Sequence, residues 1–147
     1  DKEIRKIIEL FFFSYREFTA GPDQILDKLN FGRADHRVIY FVGKKDKITI
    51  KELLGVLKIT KQSLSRVLNQ LVKEGFIVVS TGLDKRTKNL SLTSSGLSLE
   101  NKLSTIQIQK IKKVINNFNK EDIDGFKKIL YEMIEIDNKK TFQHLNE

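Results

Sequence analysis

Apolar residues recur at helical spacing from the start of the chain. Between Lys2 and Phe18, isoleucine and phenylalanine lie three or four positions apart, and Leu10 and Phe13 add a further apolar face. This pattern predicts a helix that is buried nearly all round.

A break in the pattern follows the first helix. The stretch "TAGPDQILDKLNFG" contains the only proline of the chain, Pro22, and two glycines. We expect an irregular connection here, with one short helical turn between Gln24 and Leu29. Helical spacing then predicts a second helix from Ala34 to Gly43.

The strongest local pattern lies in "ITIKELLGVLKITKQSLSRVLNQLVKEG". Thr49 and Thr60 each precede an apolar repeat and can cap a helix, and Glu52 would complete a capping box with Thr49. Two helices joined by a turn of three or four residues make a helix-turn-helix. An apolar stripe follows one side of the second helix: Leu64, Val67, Leu68, Leu71 and Val72.

After Gly75 the apolar period changes from about 3.6 to about 2. The runs "FIVVS" and "NLSLT" predict two short strands, and the intervening loop, Thr81 to Lys88, is too long for a two-residue turn. A helix-turn-helix followed by such a hairpin is a winged helix. From Thr93 onward, helical spacing predicts two long helices that are separated near "NKED".

These elements predict a mainly α protein with a small β-hairpin wing, an α+β fold. We expect an N-terminal dimerisation helix and connection (1–32), a winged-helix lobe (33–93) and long C-terminal dimerisation helices (94–147). The terminal helices carry more apolar positions than the small lobe can cover. A second copy of the chain would cover them, so we expect a homodimer.

The composition excludes several classes of site. Cysteine is absent, which rules out disulfides, thiolate metal sites and cysteine nucleophiles. The two histidines, His36 and His144, are far apart, and no phosphate-binding glycine loop or nucleophile motif occurs. We therefore expect no enzyme activity, no cofactor and no metal site, although an effector or metal role for His36 stays open.

The chain also lacks the apolar segments that target a protein to a membrane. No apolar run of about 18 residues occurs, and the N-terminal stretch "DKEIRKIIELFFFSY" mixes charges into its apolar positions. We expect a cytoplasmic protein with no membrane partner.

The formal net charge of +8 is concentrated in the middle of the chain. From Arg33 to Thr93 there are 13 Lys or Arg against 5 Asp or Glu, whereas the flanking segments together are neutral. A localised excess of positive charge is typical of a phosphate-binding surface. A lysine-rich coding bias is the alternative, but it would not spare both flanks.

The second helix of the helix-turn-helix has no acidic residue opposite its apolar stripe. An exposed helix normally mixes Glu with Lys, whereas amides, hydroxyls and cations alone are suited to phosphates and base edges in a major groove. A merely solvated face is the alternative. The candidate DNA contacts of this helix are Thr60, Lys61, Gln62, Ser63, Ser65, Arg66, Asn69, Gln70 and Lys73.

The loop of the predicted hairpin places one acid among three cations, and its candidate DNA contacts are Asp84, Lys85, Arg86 and Lys88. The Asp84 carboxylate can bond the loop amides and hold the Arg86 guanidinium, which would fix its direction. Asp84→Asn would then lower DNA affinity. If Asp84 only favours a turn, the affinity would instead rise uniformly.

The chain resembles the MarR family of transcriptional regulators along essentially its whole length. The resemblance is carried by "TIKELLGVLKITKQSLSRVLNQLVKEGFI" and by "DKRTKNLSLTSSG", which follows the family pattern of Asp, any residue, Arg, alternating Leu, then Thr and Gly. Two residues depart from the pattern. Lys58 replaces a glycine or small polar residue in the turn, and Ser80 replaces an arginine before the wing.

The resemblance implies a triangular homodimer that binds double-stranded DNA. One recognition helix from each subunit would enter a major groove, and Arg86 would probe the flanking minor groove. The operator would be pseudo-palindromic, with half-sites about one helical turn apart. We expect a sequence-specific regulator, a repressor; a non-specific architectural or protein-interaction module is the alternative.

Relatives in the family bind small aromatic acids in a cleft between the dimer base and the lobe. By analogy, we expect a small aromatic or anionic effector to bind in the corresponding cleft here. The candidate lining residues are Phe12, Tyr15, His36, Arg37 and Tyr40.

Overall fold

Seven helices and three short strands form the fold in the computed structural model, which describes all residues from 1 to 147. The first five elements are α1 (Lys2–Lys28), α2 (Arg33–Lys44), β1 (Ile48–Thr49), α3 (Ile50–Leu57) and α4 (Lys61–Lys73). The remaining elements are β2 (Ile77–Thr81), β3 (Lys88–Leu92), α5 (Ser94–Ile115), α6 (Lys120–Glu132) and α7 (Ile136–Leu145). The fold is therefore mainly helical with a small antiparallel sheet, as predicted.

A single apolar core holds the winged-helix lobe together. Helix α4 contributes three residues of its predicted stripe, Leu64, Leu68 and Leu71, whereas Val67 is half-buried and Val72 is exposed. Their partners come from the neighbouring helices and strands: Val38, Ile39, Val42, Ile48, Leu53, Ile77 and Leu90. Each fully buried leucine contributes about 2 to 3 kcal/mol, so this core fixes which side of α4 faces solvent.

The wing contains one strand more than the sequence predicts. The sheet order is β1-β3-β2, with Ile48 opposite Leu90 and Thr49 opposite Asn89. Strand β1 has only two residues, too few for an alternating pattern to reveal. By pairing with β3, it ties the sheet to the start of α3.

Helix α1 is longer than predicted. It continues through Pro22 to Lys28, so the predicted irregular connection is wrong over most of its length. Pro22 and Leu26 are buried, and Gly21 lies so close to α5 that a Cβ atom there would be 2.7 Å from Ile106 Cγ2. This packing outweighs the roughly 3 kcal/mol that an internal proline costs a helix.

Three helices, not two, follow the wing. The chain turns after α6 and returns toward the lobe as α7, which packs against α3. Just after the end of α7, Asn146 Oδ1 accepts a 3.3 Å hydrogen bond from the Lys44 ammonium. The sequence does not reveal the break between α6 and α7, because apolar residues continue at helical spacing on both sides of it.

The N-terminal part of α1 is not buried within one chain. Every residue from 1 to 17 is exposed, and the Phe12 side chain is 74% accessible. Helix α6 has no buried residue, although Phe126, Ile129 and Met133 lie on one of its faces. The prediction that the first helix is buried nearly all round is therefore wrong for the single chain, because nothing within it covers this surface.

The motif from Thr93 to Gly96 joins the wing to α5. The Thr93 hydroxyl accepts a 3.1 Å hydrogen bond from the Gly96 amide and donates to the Gly75 carbonyl. A Cβ atom at Gly96 would lie 2.1 Å from the Phe76 carbonyl oxygen. Only glycine permits this approach, so the motif has a structural role.

Candidate nucleic-acid interface

Helix α4 is held rigidly at its N-terminus and along its inner side. The Thr60 hydroxyl accepts a 3.1 Å hydrogen bond from the Ser63 amide, which confirms the predicted cap. The same hydroxyl donates to Ser63 Oγ. Because the opposite side of α4 is anchored in the core, its polar side is presented to solvent in a fixed direction.

The structure places all nine candidate contacts of α4 on one accessible surface. Ser63 is half-buried and the other eight residues are exposed. Seven of them form no side-chain hydrogen bond or ion pair within the chain, and their donors are therefore free for a ligand: Lys61, Gln62, Ser65, Arg66, Asn69, Gln70 and Lys73. We call the full set of nine candidate contacts, including Thr60 and Ser63, the α4 face.

The preceding helix, α3, is fixed to its surroundings by the predicted cap. The Thr49 hydroxyl accepts a 3.1 Å hydrogen bond from the Glu52 amide. The Glu52 carboxylate accepts from the Thr49 hydroxyl and forms an ion pair with Lys45. The Lys45 ammonium holds the pKa of Glu52 below its ordinary value, so the pair stays charged at neutral pH. Helix α3 is thus tied to the end of α2.

The tip of the wing is closed by main-chain hydrogen bonds. The Gly82 amide donates to the Thr87 carbonyl at 3.1 Å, and the Thr87 amide donates to the Asp84 carbonyl at 2.9 Å. The side chains of Lys85, Arg86 and Lys88 extend into solvent without an ion pair. The wing therefore presents three free cations, Lys85 and Arg86 on the loop and Lys88 at the first residue of β3.

Asp84 has one of its two predicted partners, a loop amide, and lacks the other. Its Oδ1 atom accepts a 3.0 Å hydrogen bond from the Arg86 amide, which makes an Asx turn. No ion pair joins its carboxylate to the Arg86 guanidinium, so the predicted side-chain pairing is wrong in the free protein. Asp84 instead shapes the main chain that carries Arg86.

The Asx turn changes the expected effect of substituting Asp84. An asparagine oxygen can accept the same amide hydrogen bond, so Asp84→Asn is expected to retain the loop and to bind DNA at least as well as the wild type. Asp84→Ala removes the acceptor and is expected to weaken binding about threefold, although both variants lose the same negative charge. Fluorescence anisotropy with labelled DNA measures the difference; equal affinities for the two variants would contradict a role for the turn.

A cavity of about 390 Å³ lies between α1, α2 and α5. It brings together four of the five candidate effector residues, namely Tyr15, His36, Arg37 and Tyr40. Phe12 lies outside it and points into solvent. Sequence reasoning missed the remaining lining residues because helical spacing does not tell which helices meet: Phe18, Thr19, Arg33, Phe41, Ser104, Gln107, Ile108 and Ile111.

The polar groups of this cavity have distinct environments. Burial lowers the pKa of His36, and the negative charges of Asp23 and Glu100 offset only part of this effect, so the imidazole is neutral at pH 7. Arg33 is bonded to Asp23 at 3.1 Å and to the Thr19 hydroxyl at 3.2 Å. Arg37 is exposed and has no ion-pair partner, which leaves a free cation at the rim.

The structure contains no group of three or more His, Asp or Glu side chains placed to hold a metal ion. Its longest helices carry too many charged residues to cross a lipid bilayer.

Comparison with known proteins places these features in a family. The sequence model of the MarR family matches residues 29–87. The HTH-type transcriptional regulator PetP of Rhodobacter capsulatus is 38% identical over the full chain and 89% of its own length. The organic hydroperoxide resistance transcriptional regulator of Bacillus subtilis is 25% identical over 86% of the chain and 85% of its own length.

Solved structures show the same fold at lower identity. A MarR-family transcription regulator superposes with a TM-score of 0.75 at 15% identity, covering 90% of this chain and 88% of its own. MepR of Staphylococcus aureus in complex with DNA superposes with a TM-score of 0.67 at 22% identity, covering 85% of this chain and 93% of its own.

Proposed function

Because the chain belongs to the MarR family of DNA-binding transcriptional regulators, we propose that it is a homodimer that recognises a specific double-stranded operator. In this proposal the α4 face enters the major groove and the tip of the wing reaches the adjacent minor groove. The protein is a regulator and not an enzyme, since its family acts by binding DNA.

The α4 face is the observation that carries the proposal. It combines an arginine, three amide side chains and hydroxyls on a rigid helix, and it contains no acid to repel phosphate. Arginine pairs with guanine, and asparagine or glutamine with adenine, through two hydrogen bonds each. A surface built only for non-specific attraction would need lysines and would gain nothing from Gln62, Asn69 and Gln70.

The wing supports a second contact of a different kind. The Arg86 side chain is exposed, forms no hydrogen bond or ion pair within the chain and stands on a loop closed by hydrogen bonds. A guanidinium of this kind is attracted to the narrow minor groove of A·T-rich DNA. We therefore expect A·T-rich segments flanking each half-site.

The exposed apolar surfaces of α1 and α6 support the homodimer. A symmetric pair would bury both surfaces and would bring two α4 faces to two half-sites about 10 to 10.5 base pairs apart, or a multiple of that spacing. An operator of this kind is pseudo-palindromic. If it overlaps a promoter, the bound dimer would exclude RNA polymerase, and we propose repression as its action.

Titration against genomic fragments at two salt concentrations tests whether the protein recognises a specific operator. We expect at least one fragment to bind about a hundredfold more tightly than bulk DNA, and footprinting of that fragment to reveal two protected half-sites. If every fragment binds alike, the proposal of specific recognition fails. The alternative is then a non-specific architectural module that binds DNA through the free cations of the lobe.

The cavity between α1, α2 and α5 supports an effector-gated form of the same function. It lies where the terminal helices α1 and α5 meet α2 of the lobe, and its lining mixes aromatic residues with the free cation of Arg37. The neutral His36 can accept or donate a hydrogen bond there. A small aromatic acid bound there would shift the spacing of the two lobes. Thermal shift with a panel of such acids, with release of bound DNA as the second measurement, tests gating; no shift with any acid would contradict it.

A further inference from the structure

The last helix of the chain, α7, is fixed to the end of α6 by side-chain contacts. The Gln143 amide donates a 2.7 Å hydrogen bond to the Tyr131 hydroxyl, and the Phe142 ring lies against the Tyr131 ring with centroids 6.0 Å apart. The Lys139 ammonium lies 5.1 Å from the centre of the Tyr131 ring and 3.3 Å from a carboxylate oxygen of Glu132. The corner between α6 and α7 is therefore held at a defined angle.

The other side of α7 docks on the winged-helix lobe. Leu145 is half-buried, and with Ile48 and Val56 it lines a cavity of about 420 Å³ between α7 and α3. The hydrogen bond from Lys44 to Asn146 ties the end of α2 to the residue that follows α7. Helix α7 therefore connects α6 to the lobe that carries the α4 face.

The terminal helices reach the lobe at different points. Helices α1 and α5 pack against α2, whereas α7 packs against α3, the first helix of the helix-turn-helix. Three residues separate the end of α3 at Leu57 from the start of α4 at Lys61. Leu53 of α3 and Leu64 of α4 are buried in the same core. Because such a core is close-packed, a shift of α3 moves α4 with it.

We propose that α7 is a rigid link that fixes the direction of the helix-turn-helix relative to α6, and so determines which half-site spacing the dimer accepts. This inference rests on the proposed homodimer, with α6 in the subunit interface, and on the proposed entry of the α4 face into the major groove. Two binding modules on a rigid link accept one separation of their sites, whereas a flexible link accepts a range of separations at lower affinity. Leu145 and Tyr131 are positioning residues in this arrangement, because neither lies on the α4 face.

Two substitutions release α7 at its two attachment points. Leu145→Asp places a carboxylate against apolar residues of α3, in the cavity that Glu52 also lines, and so opposes docking on the lobe. Tyr131→Ala removes the shared partner of the three α7 side chains at the corner with α6, and it leaves the lobe unchanged. Asn138→Asp is the matched control, because Asn138 is exposed near the start of α7, does not line the cavity and receives the same carboxylate.

The test measures affinity for an operator and for the same operator with two base pairs inserted between its half-sites. The insertion turns one half-site by about 70° relative to the other. We expect the wild type and Asn138→Asp to lose about 100-fold in affinity on the insertion, and Leu145→Asp and Tyr131→Ala to lose less than about tenfold. Both released variants should bind the original operator about three to ten times more weakly than the wild type, because a flexible link holds the second lobe less close to its half-site.

Docking of α7 can be measured directly because the chain has no cysteine. Thr141→Cys places one thiol at the half-buried contact with α3, and Asn138→Cys places one at an exposed position of the same helix. We expect the thiol at position 141 to react with a maleimide at least about fivefold more slowly than the thiol at position 138. Ultracentrifugation and circular dichroism should show that the variants remain folded dimers, since none of the substituted residues belongs to the core of the lobe.

Two outcomes would overturn the inference. Equal thiol reaction rates at positions 138 and 141 would show that α7 is not docked in solution. Wild-type dependence on spacing in both Leu145→Asp and Tyr131→Ala would show that α7 does not determine the spacing. Failure of the proposed function is a separate result: the wild type itself would then sediment as a monomer, or would bind the operator, the spaced operator and scrambled DNA alike.

Discussion

Arg66→Ala is expected to lower the affinity for the operator by about 10- to 100-fold and to remove the base preference at one position of each half-site. Arg66 is exposed near the middle of the α4 face and its side chain forms no hydrogen bond or ion pair within the protein. A guanidinium that pairs with guanine through two hydrogen bonds contributes about 1 to 3 kcal/mol of discrimination. The measurement is affinity for an operator library in which each base pair is varied in turn.

Lys73→Ala is the control for the Arg66 prediction. Lys73 lies on the same face, has no partner and carries the same charge, but it stands at the last residue of α4. A phosphate contact there would weaken binding to every sequence alike and lower the salt dependence by about one unit. If Arg66→Ala also weakens all sequences equally, Arg66 contacts phosphate, and another residue of the α4 face reads the base.

The α4 face was predictable because all of its determinants are local. The cap at Thr60 and the stripe of Leu64, Leu68 and Leu71 lie within one helix, and together they fix which side packs into the core. The polar side follows from helical geometry alone. For the same reason Arg86 could be placed on an exposed loop between two strands.

The features that the sequence did not predict depend on contacts between distant segments. Pro22 is tolerated inside α1 because it packs in the interior beside α5. The cavity is lined by α5 residues such as Gln107, which lies more than 70 positions from His36 along the chain. Strand β1 exists because two residues meet Leu90 and Asn89 of β3. Periodicity does not specify such partners.

The partner of Asp84 illustrates a further limit. Its sequence position allows both a bond to a loop amide and a pair with the Arg86 side chain. The structure contains the first and lacks the second, because an exposed ion pair gains little free energy in water whereas the turn satisfies an amide. Residue type and spacing alone do not decide between two such local contacts.

Ile129→Glu is expected to convert the proposed dimer to a monomer and to reduce operator affinity by about 10²- to 10⁴-fold. Ile129 is 63% exposed on the apolar face of α6, beside Phe126 and Met133. Burying an unpaired carboxylate in a subunit interface costs several kcal/mol, which favours separation of the subunits. A monomer contacts only one half-site. In the dimer, binding of one subunit holds the other close to its own half-site, and loss of this linkage accounts for the size of the effect.

Analytical ultracentrifugation and operator binding together test this prediction, with Lys120→Glu as the control. Lys120 begins the same helix and is exposed, but it lies outside the apolar face, so its variant should remain dimeric despite an equally added carboxylate. Circular dichroism should show that both variants retain the helical fold, because Ile129 makes no contribution to the core of the lobe. A dimeric Ile129→Glu would place the interface elsewhere, whereas a monomer that still binds two half-sites tightly would show that the subunits associate only on DNA.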